Sequence, residues 1–138
     1  MQDPGNVGAV LRSAHAFDAG VALSKGCADL YNPKTVRATM GSLFHAAVSR
    51  ELDSPRFLTV VSDAGFSTAA AVPEGGSAPR LLAAGRLVIV VGAEGGGLPE
   101  EVLEACQMRV TIPSRATSLN AAIAASILLY EAYRHVLT

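Results

Sequence analysis

The sequence predicts an α/β fold with a mostly parallel sheet flanked by helices. Strand-like runs alternate with helical segments along the chain, which is typical of this class. The strongest run, RLVIVVG at 86–92, is apolar at five successive positions, as in a parallel strand covered on both faces. With 138 residues, half of them apolar, the chain is long enough for one domain with a real core. No internal repeat or domain boundary is visible.

The first third of the chain predicts a helix, a strand and a short helix. Asp-Pro-Gly-Asn is a turn signal, and Asn6 is the expected N-cap of the helix that follows it. GVALS at 20–24 is a strand, and Asn32 then caps a short helix with Pro33 at its first position. Because such an opening turn normally leaves a strand, we expect either that the domain's first strand is missing before Asp3 or that the residues before Asp3 pair only briefly.

The remaining elements follow from composition and periodicity. FLTVVSD at 57–63 predicts a strand, and the stretch 65–80 predicts a weak element and a surface loop. LPEEVLEAC at 98–106 predicts a short helix, and MRVTIP predicts a strand that Pro113 stops. A long helix is expected at 118–135. Its apolar residues Leu119, Ile123, Ile127 and Tyr130 recur at helical spacing, and its alanines and tyrosines are expected in the core or a subunit contact.

The charge and composition of the chain limit the kinds of partner that it can bind. The net charge is only −1, whereas a domain that holds nucleic acid alone is usually basic. Any nucleic-acid affinity is therefore expected from a local cluster, a second copy of the chain or a segment outside it. No run is long enough to span a membrane and no secretory signal is present, which predicts a cytoplasmic protein. The two cysteines are expected to be buried free thiols, and the spacing of the three histidines predicts no metal site.

The stretch VIVVGAEGGGLPEEV at 88–102 is the first candidate site. It lacks the Gly-Lys-Ser/Thr of a phosphate-binding loop, and it fits the dinucleotide fingerprint poorly. A strand end with so many glycines exposes backbone groups that suit an adenine edge or a ribose. A flexible turn before a helix is the alternative. The second candidate is the start of the last helix, where Ser118 is the expected N-cap and Asn120 is less easily explained by capping. The third is the opening helix, with Asn6 and Arg12.

Together these segments resemble the SpoU branch of the SPOUT superfamily, the RNA ribose 2′-O-methyltransferases. The matching stretches are DPGNVGAVLRSA, YNPKTVRATMGSLFHAAV, VIVVGAEGGGLPEEV and TIPSRATSLNAAIAASILLYEAY, which occur in the family's order. The resemblance implies a C-terminal deep trefoil knot, S-adenosylmethionine held in the knot loops, and a homodimer whose subunits share residues at each active site. It implies an RNA substrate, tRNA or rRNA. The chain, 1–138, is then expected to be the catalytic domain without its first strand or an N-terminal RNA-binding domain.

The resemblance also assigns the site residues. The positions that match the family's active site are Asn6, Arg12, Glu94, Ser118 and Asn120. The positions that match the cofactor pocket are Gly92, Ala93, Glu94, Gly95, Ile112, Ser118, Leu119 and Asn120. The segment from Gly41 to Phe44 matches a further stretch near the site.

The residue types suggest roles for these positions. A guanidinium keeps its proton in proteins, so we interpret Arg12 as a clamp on an RNA phosphate, with a general base as the alternative. Glu94 is expected to hold Arg12 or the Asn6 amide, or to lie near the sulfonium; a solvated loop glutamate is the alternative. The chain departs from the family at Ala93, Thr117 and Ala122, but none of these departures removes the central residues. The expected loss of the first strand leaves a non-catalytic RNA- or cofactor-binding fragment as the second interpretation.

Overall fold

The structure is a computed structural model that describes residues 1–93 and 95–137. It divides into two compact units, Met1–Asp53 and Ser54–Thr138. Each unit combines helices with parallel strands, so the predicted α/β class with parallel pairing is confirmed. No helix within the described residues is both long and apolar enough to cross a membrane.

The first unit has two helices, two strands and a short 3₁₀ turn. The parallel pair of strands matches Val21 with Val48. Its core consists of Val7, Leu11, Leu23 and Leu30. In chain order the elements are α1 (Pro4–Ala16), β1 (Val21–Ser24), α2 (Pro33–Ala38), the 3₁₀ turn (Ser42–Phe44) and β2 (Val48–Leu52). The strand at 20–24 and the helix capped by Asn32 are confirmed. Strand β2 had no counterpart in the sequence prediction.

The predicted cap of α1 is wrong. Asp3, not Asn6, caps the helix: its carboxylate accepts a hydrogen bond from Gly5 N at 3.1 Å, and Pro4 takes the first helical position. The helix begins three residues earlier than expected, because Asp3 caps it and Pro at the first helical position needs no N–H partner. Asn6 therefore lies in the first turn of α1.

The second unit contains a three-stranded parallel sheet and three helices. The strand order is β4-β3-β5. The core on this sheet consists of Ala69, Leu82, Val110 and Leu128. In chain order the elements are α3 (Ser54–Asp63), β3 (Ser67–Ala71), a 3₁₀ turn (Pro79–Leu81), β4 (Leu87–Val90), α4 (Glu100–Ala105), β5 (Met108–Val110) and α5 (Ala121–Leu137). The predicted strands at 86–92 and in MRVTIP and the helix at 98–106 are confirmed. All four residues of β4 are only partly buried, and β4 lies at one end of the strand order.

The predicted strand at 57–63 is wrong, because this segment is helix α3. Pro55 lies in its first turn, and the helix ends in a left-handed glycine, Gly65, with φ of 89°. Phe66 N bonds to Val61 O and Gly65 N to Ser62 O, the Schellman pattern of a helix terminus. These two end signals outweigh the β-branched residues between them, whose strand preference is weak and context-dependent.

The expected weak element between 65 and 80 contains the central strand of the sheet. β3 pairs with β4 on one side and with β5 on the other. Thr68, Ala69 and Ala70 are fully buried in it. Alanine has little intrinsic strand preference. The strand was therefore underestimated from sequence, although its small residues suit a crowded central position.

Helix α5 is buried through three alanines and Leu128 rather than through the predicted apolar stripe. Ala121, Ala122, Ala125 and Leu128 are buried. The predicted apolar stripe is instead largely exposed: Ile123 by 54%, Ile127 by 39% and Tyr130 by 51%. These three positions share one helix face, so α5 presents an uncovered apolar surface, which we call the α5 face.

Candidate functional site

A cavity of about 530 Å³ opens at the carboxyl ends of the three parallel strands of the second unit. In open parallel sheets this edge is the usual place for a ligand. The volume is within the range of about 300–1,000 Å³ common for small-molecule sites. Its walls come from the segment after β3, the glycine-rich loop after β4, the segment after β5 and the first turns of α5. A second hollow, in the first unit, has only about 10 Å³, room for one water molecule.

The glycine-rich loop folds back on itself beside the cavity. A Cβ on Gly92 would lie 2.7 Å from both the carbonyl carbon and the oxygen of Gly97. Ala93 and Gly97 form an isolated antiparallel bridge, and Gly95 and Gly97 have positive φ. The loop therefore requires glycine at Gly92 because no side chain fits there. Gly92, Ala93, Gly95 and Gly97 line the cavity, whereas the predicted residue Glu94 lies outside the described residues.

The loop before α5 supplies the polar part of the wall. Ser114, Thr117, Ser118 and Asn120 line the cavity together with Leu119. The loop is exposed except at Leu119, so its hydroxyl and amide groups are accessible. The lining residues that the structure describes carry no charge, and their polar side chains all come from this one loop. Such a wall suits a ligand bound mainly by backbone groups and hydroxyls rather than by a salt bridge.

Asn120, not Ser118, caps the last helix. Its side-chain oxygen accepts hydrogen bonds from Ala122 N at 2.9 Å and Ile123 N at 3.1 Å. The prediction that Ser118 is the cap is therefore wrong, because the helix begins at Ala121, two residues later than a Ser118 cap allows. Ser118 is left in the loop, where it lines the cavity. The structure gives a capping reason for Asn120 that sequence reasoning missed.

The structure gathers the predicted pocket residues around this one cavity. The residues concerned are Gly92, Ala93, Gly95, Ile112, Ser118, Leu119 and Asn120. Sequence reasoning missed the wall after β3, formed by Ala71, Val72 and Pro73. The available signal was a run of small residues stopped by a proline, STAAAVP.

Asn6 and Arg12 lie on α1 in the first unit. Asn6 is partly buried and Arg12 is exposed. Three residues after Arg12, the His15 ring stacks on His45 at 4.6 Å, and its Nδ1 lies 3.1 Å from Ser42 Oγ. The Gly41–Phe44 segment is thus attached to α1 through Ser42. Gly41 itself has φ of 85°, which favours glycine.

Titratable side chains contribute no charge to the part of the cavity wall that the structure describes. Both cysteines are free and partly buried. Burial raises the pKa of the Cys106 thiol, so this thiol stays protonated and unreactive at neutral pH. Within residues 1–93 and 95–137, no three histidine, cysteine or acidic side chains are grouped to hold a metal ion.

Comparison with known proteins finds RNA methyltransferases among the relatives of this chain. Residues 1–130 match the model of the SpoU rRNA Methylase family. The 23S rRNA (guanosine(2553)-2′-O)-methyltransferase RlmP of Bacillus subtilis is 36% identical over 136 residues, which cover 95% of this chain and 54% of RlmP. A tRNA/rRNA methyltransferase of uncharacterised function, slr1673 from Synechocystis, is also 36% identical, over 97% of this chain and 50% of its own length. This chain thus spans about half the length of the curated relatives it matches.

Solved structures are similar over nearly the whole chain. An AdoMet-bound rRNA methyltransferase from Sinorhizobium meliloti superposes with a TM-score of 0.90 and 37% identity, covering 99% of this chain and 54% of that one. The SpoU methyltransferase AviRb from Streptomyces viridochromogenes, in complex with AdoMet, gives 0.87 and 30%, covering 99% and 57%. The resemblance inferred from the sequence motifs is confirmed.

Proposed function

Because this chain belongs to the SpoU rRNA methylase family, we propose that it is the catalytic region of an S-adenosylmethionine-dependent enzyme that methylates a ribose 2′-hydroxyl in tRNA or rRNA. The observation that carries the proposal is the cavity at the carboxyl edge of β3, β4 and β5. It is lined by the two loops that hold the family motifs. Two relatives of known structure are described as AdoMet complexes.

The cavity fits a methyl donor of this kind. Its volume of about 530 Å³ suits a nucleoside with an amino-acid tail. Gly92 and Gly97 bring the backbone close to the cavity, so peptide N–H and C=O groups are available to an adenine edge. The described wall bears no cationic side chain that would repel a sulfonium. Gly92, Ala93, Gly95, Ile112, Ser118, Leu119 and Asn120 are the proposed binding residues, with Glu94 completing the glycine-rich loop.

The protein's part in the reaction is to orient the hydroxyl and stabilise developing charge. When bound, S-adenosylmethionine would supply the methyl group: as the ribose oxygen bonds to the methyl carbon, the carbon–sulfur bond would break, S-adenosylhomocysteine would leave and the hydroxyl proton would pass to water. Arg12 is proposed to hold the neighbouring phosphate through its fork of donors, because a guanidinium is a poor base. Asn6, in the first turn of α1, is proposed to hold a hydrogen bond to the ribose.

Ser118, Asn120 and Glu94 are proposed to act at the cavity. The Ser118 side chain is in the exposed loop, so its hydroxyl is accessible to a ribose or to the methionine part. The Asn120 oxygen caps α5, which fixes the position of that residue against the cavity wall. Glu94 is proposed to attract the sulfonium or hold Arg12, since the residues on both sides of it line the cavity.

We also propose a homodimer, a C-terminal trefoil knot and a cytoplasmic location. The exposed α5 face supports the dimer: Ile123, Ile127 and Tyr130 form an apolar stripe that a second copy would cover. The knot and the location rest on the family resemblance.

The function is tested by two measurements on the same protein. Calorimetry with S-adenosylmethionine should show binding near one molecule per chain. Incubation with tritiated S-adenosylmethionine and bulk rRNA or tRNA should then label one RNA class, in nucleotides that resist alkaline hydrolysis. Labelled RNA that remains alkali-sensitive at the modified nucleotide would contradict ribose methylation.

A non-catalytic binding fragment is the second candidate. It is favoured by the departures from the family motifs at Ala93 and Thr117, which both line the cavity. It predicts S-adenosylmethionine binding with no methyl incorporation into any RNA. Incorporation above a protein-free control rejects it.

A further inference from the structure

The hydroxyl of Thr111 joins two segments of the cavity wall. Thr111 directly follows β5, between Val110 and Ile112, which both line the cavity. Its Oγ1 accepts a hydrogen bond from Gly76 N at 2.9 Å and donates one to Val72 O at 3.0 Å. Val72 belongs to the wall as well. One hydroxyl therefore connects the end of β5 to the segment that follows β3.

Backbone bonds hold both ends of this segment, and the Thr111 hydroxyl adds bonds at Val72 and Gly76, next to those ends. At one end Val72 N donates to Val110 O at 2.9 Å. At the other, Ser77 N donates to Arg109 O at 2.8 Å and Thr111 N donates to Ser77 O at 3.0 Å. Residues 73–76 form the bend between these ends. The Thr111 hydroxyl is bonded to Val72, just before the bend, and to Gly76, the last residue of the bend.

The close approach of the bend to β5 is visible at Gly76. A Cβ at this position would lie 2.7 Å from the carbonyl carbon of Val110 and 2.8 Å from Thr111 Oγ1. Since real Cβ atoms do not approach backbone so closely, the bend can adopt this position only with glycine. The hydroxyl then receives the Gly76 N–H at ordinary hydrogen-bond length.

We propose that Thr111 is a positioning residue for the cofactor pocket, which fixes the 72–76 segment against β5 and so sets the wall formed by Val72 and Pro73. This inference rests on the proposed function. Thr111 makes its contacts through the segment and is not among the residues that line the cavity. Loss of the hydroxyl leaves the Gly76 N–H and the Val72 carbonyl to be satisfied by water, and the segment moves outward.

The test compares three variants. Thr111→Val keeps the side-chain shape and removes the hydroxyl, whereas Thr111→Ser keeps the hydroxyl. Ser77→Ala is the matched control, because Ser77 joins this network through its backbone. Calorimetry should show a Kd for S-adenosylmethionine about tenfold higher in T111V, equivalent to about 1.4 kcal/mol. T111S and S77A should stay within about twofold of the wild type. KM for S-adenosylmethionine should rise in T111V while kcat at saturation stays close to that of the wild type.

Hydrogen–deuterium exchange without cofactor gives a readout that does not depend on the enzymatic function. The backbone amides of Val72 and of residues 74–77 should exchange faster in T111V than in T111S or S77A. An unchanged exchange rate, or faster exchange with an unchanged Kd, would overturn the inference. If the wild type binds no S-adenosylmethionine, the proposed function fails, and exchange alone decides whether Thr111 holds the segment. Near-ultraviolet circular dichroism checks folding, and Thr111→Ala replaces T111V if that variant does not fold.

Discussion

At the scale of single residues, Asn120 combines a structural and a proposed binding role. Its side-chain oxygen receives two backbone N–H groups at the start of α5. Asn120 is also part of the cavity wall. A helix N-terminus leaves several N–H groups without intrahelical partners, which explains why an asparagine is useful here for stability alone.

We therefore expect Asn120→Ala to destabilise the protein. Loss of an N-cap costs about 1 kcal/mol, which urea unfolding should show as a lower midpoint with an unchanged slope. Asn120→Asp keeps an acceptor oxygen and should unfold close to the wild type. If N120A were as stable as the wild type, the capping role would be wrong.

Glu94 carries the second prediction at this scale. The resemblance assigns it to the active site, and its neighbours Ala93 and Gly95 line the cavity. Replacing it with alanine should lower the methylation rate at least about tenfold, which corresponds to about 1.4 kcal/mol in the barrier. Glu104→Ala, an exposed position on α4, is the control. Equal steady-state rates for E94A and E104A would show that Glu94 is a solvated loop residue.

At the scale of elements, close helix packing in the first unit depends on one glycine. Gly8 is buried on α1, and a Cβ there would lie 2.4 Å from Ala38 Cβ and 2.7 Å from the Ala38 carbonyl carbon. Ala38 is the last residue of α2. The two helices are therefore in backbone-level contact at this point.

Gly8→Ala should separate α1 from α2. We expect a loss of about 1–3 kcal/mol in unfolding free energy, as is typical when a packed contact is overfilled. Gly5→Ala on the same helix is the matched control, because its Cβ would meet only the Asp3 carboxylate at 3.5 Å. Chemical denaturation of both variants measures the difference. A G8A protein as stable as G5A would contradict the tight contact.

Elements were predictable where local chemistry and tertiary context agree. The Asn32 cap before α2 and the acidic first turn of α4 are visible in the sequence and are present in the structure. The segment 57–63 failed because its β-branched residues were weighted above the proline and glycine at its ends. β3 was underestimated because its alanines are selected by burial between two strands, which a single sequence does not display.

The site was predictable for a different reason. The glycine-rich loop and the Ser-Leu-Asn turn each carry an unusual composition, and parallel strand ends meet at one edge of the sheet. The wall after β3 and the bridge from Thr111 carry no such local signal, since they depend on distances between segments far apart in the chain. Exposure of the α5 face was likewise hidden, because helical periodicity does not say which apolar face is covered.

At the scale of the whole molecule, the α5 face predicts self-association. Ile123→Glu should raise the dissociation constant of the proposed homodimer at least about tenfold, because it places a charge within the apolar stripe. Glutamate is favourable in the first turn of a helix, so the variant should fold. Val60→Glu, an exposed apolar position on α3, is the control.

Sedimentation equilibrium measures the dimer constant for both variants. A wild-type protein that remains monomeric at micromolar concentration would contradict the dimer. So would equal dissociation constants for the I123E and V60E proteins.

The account depends most on the claim that the glycine-rich loop forms one wall of a cofactor pocket. A Cβ on Gly92 would collide with Gly97 and with Leu98 N, which lies 3.0 Å away, whereas a Cβ on Gly96 would meet no atom within 4 Å. The most direct measurement is the calorimetric Kd for S-adenosylmethionine of the wild type, G92A and G96A. We expect G96A to bind like the wild type and G92A to bind at least about tenfold more weakly. Equal affinity of G92A and the wild type, or no binding by the wild type, would contradict the account.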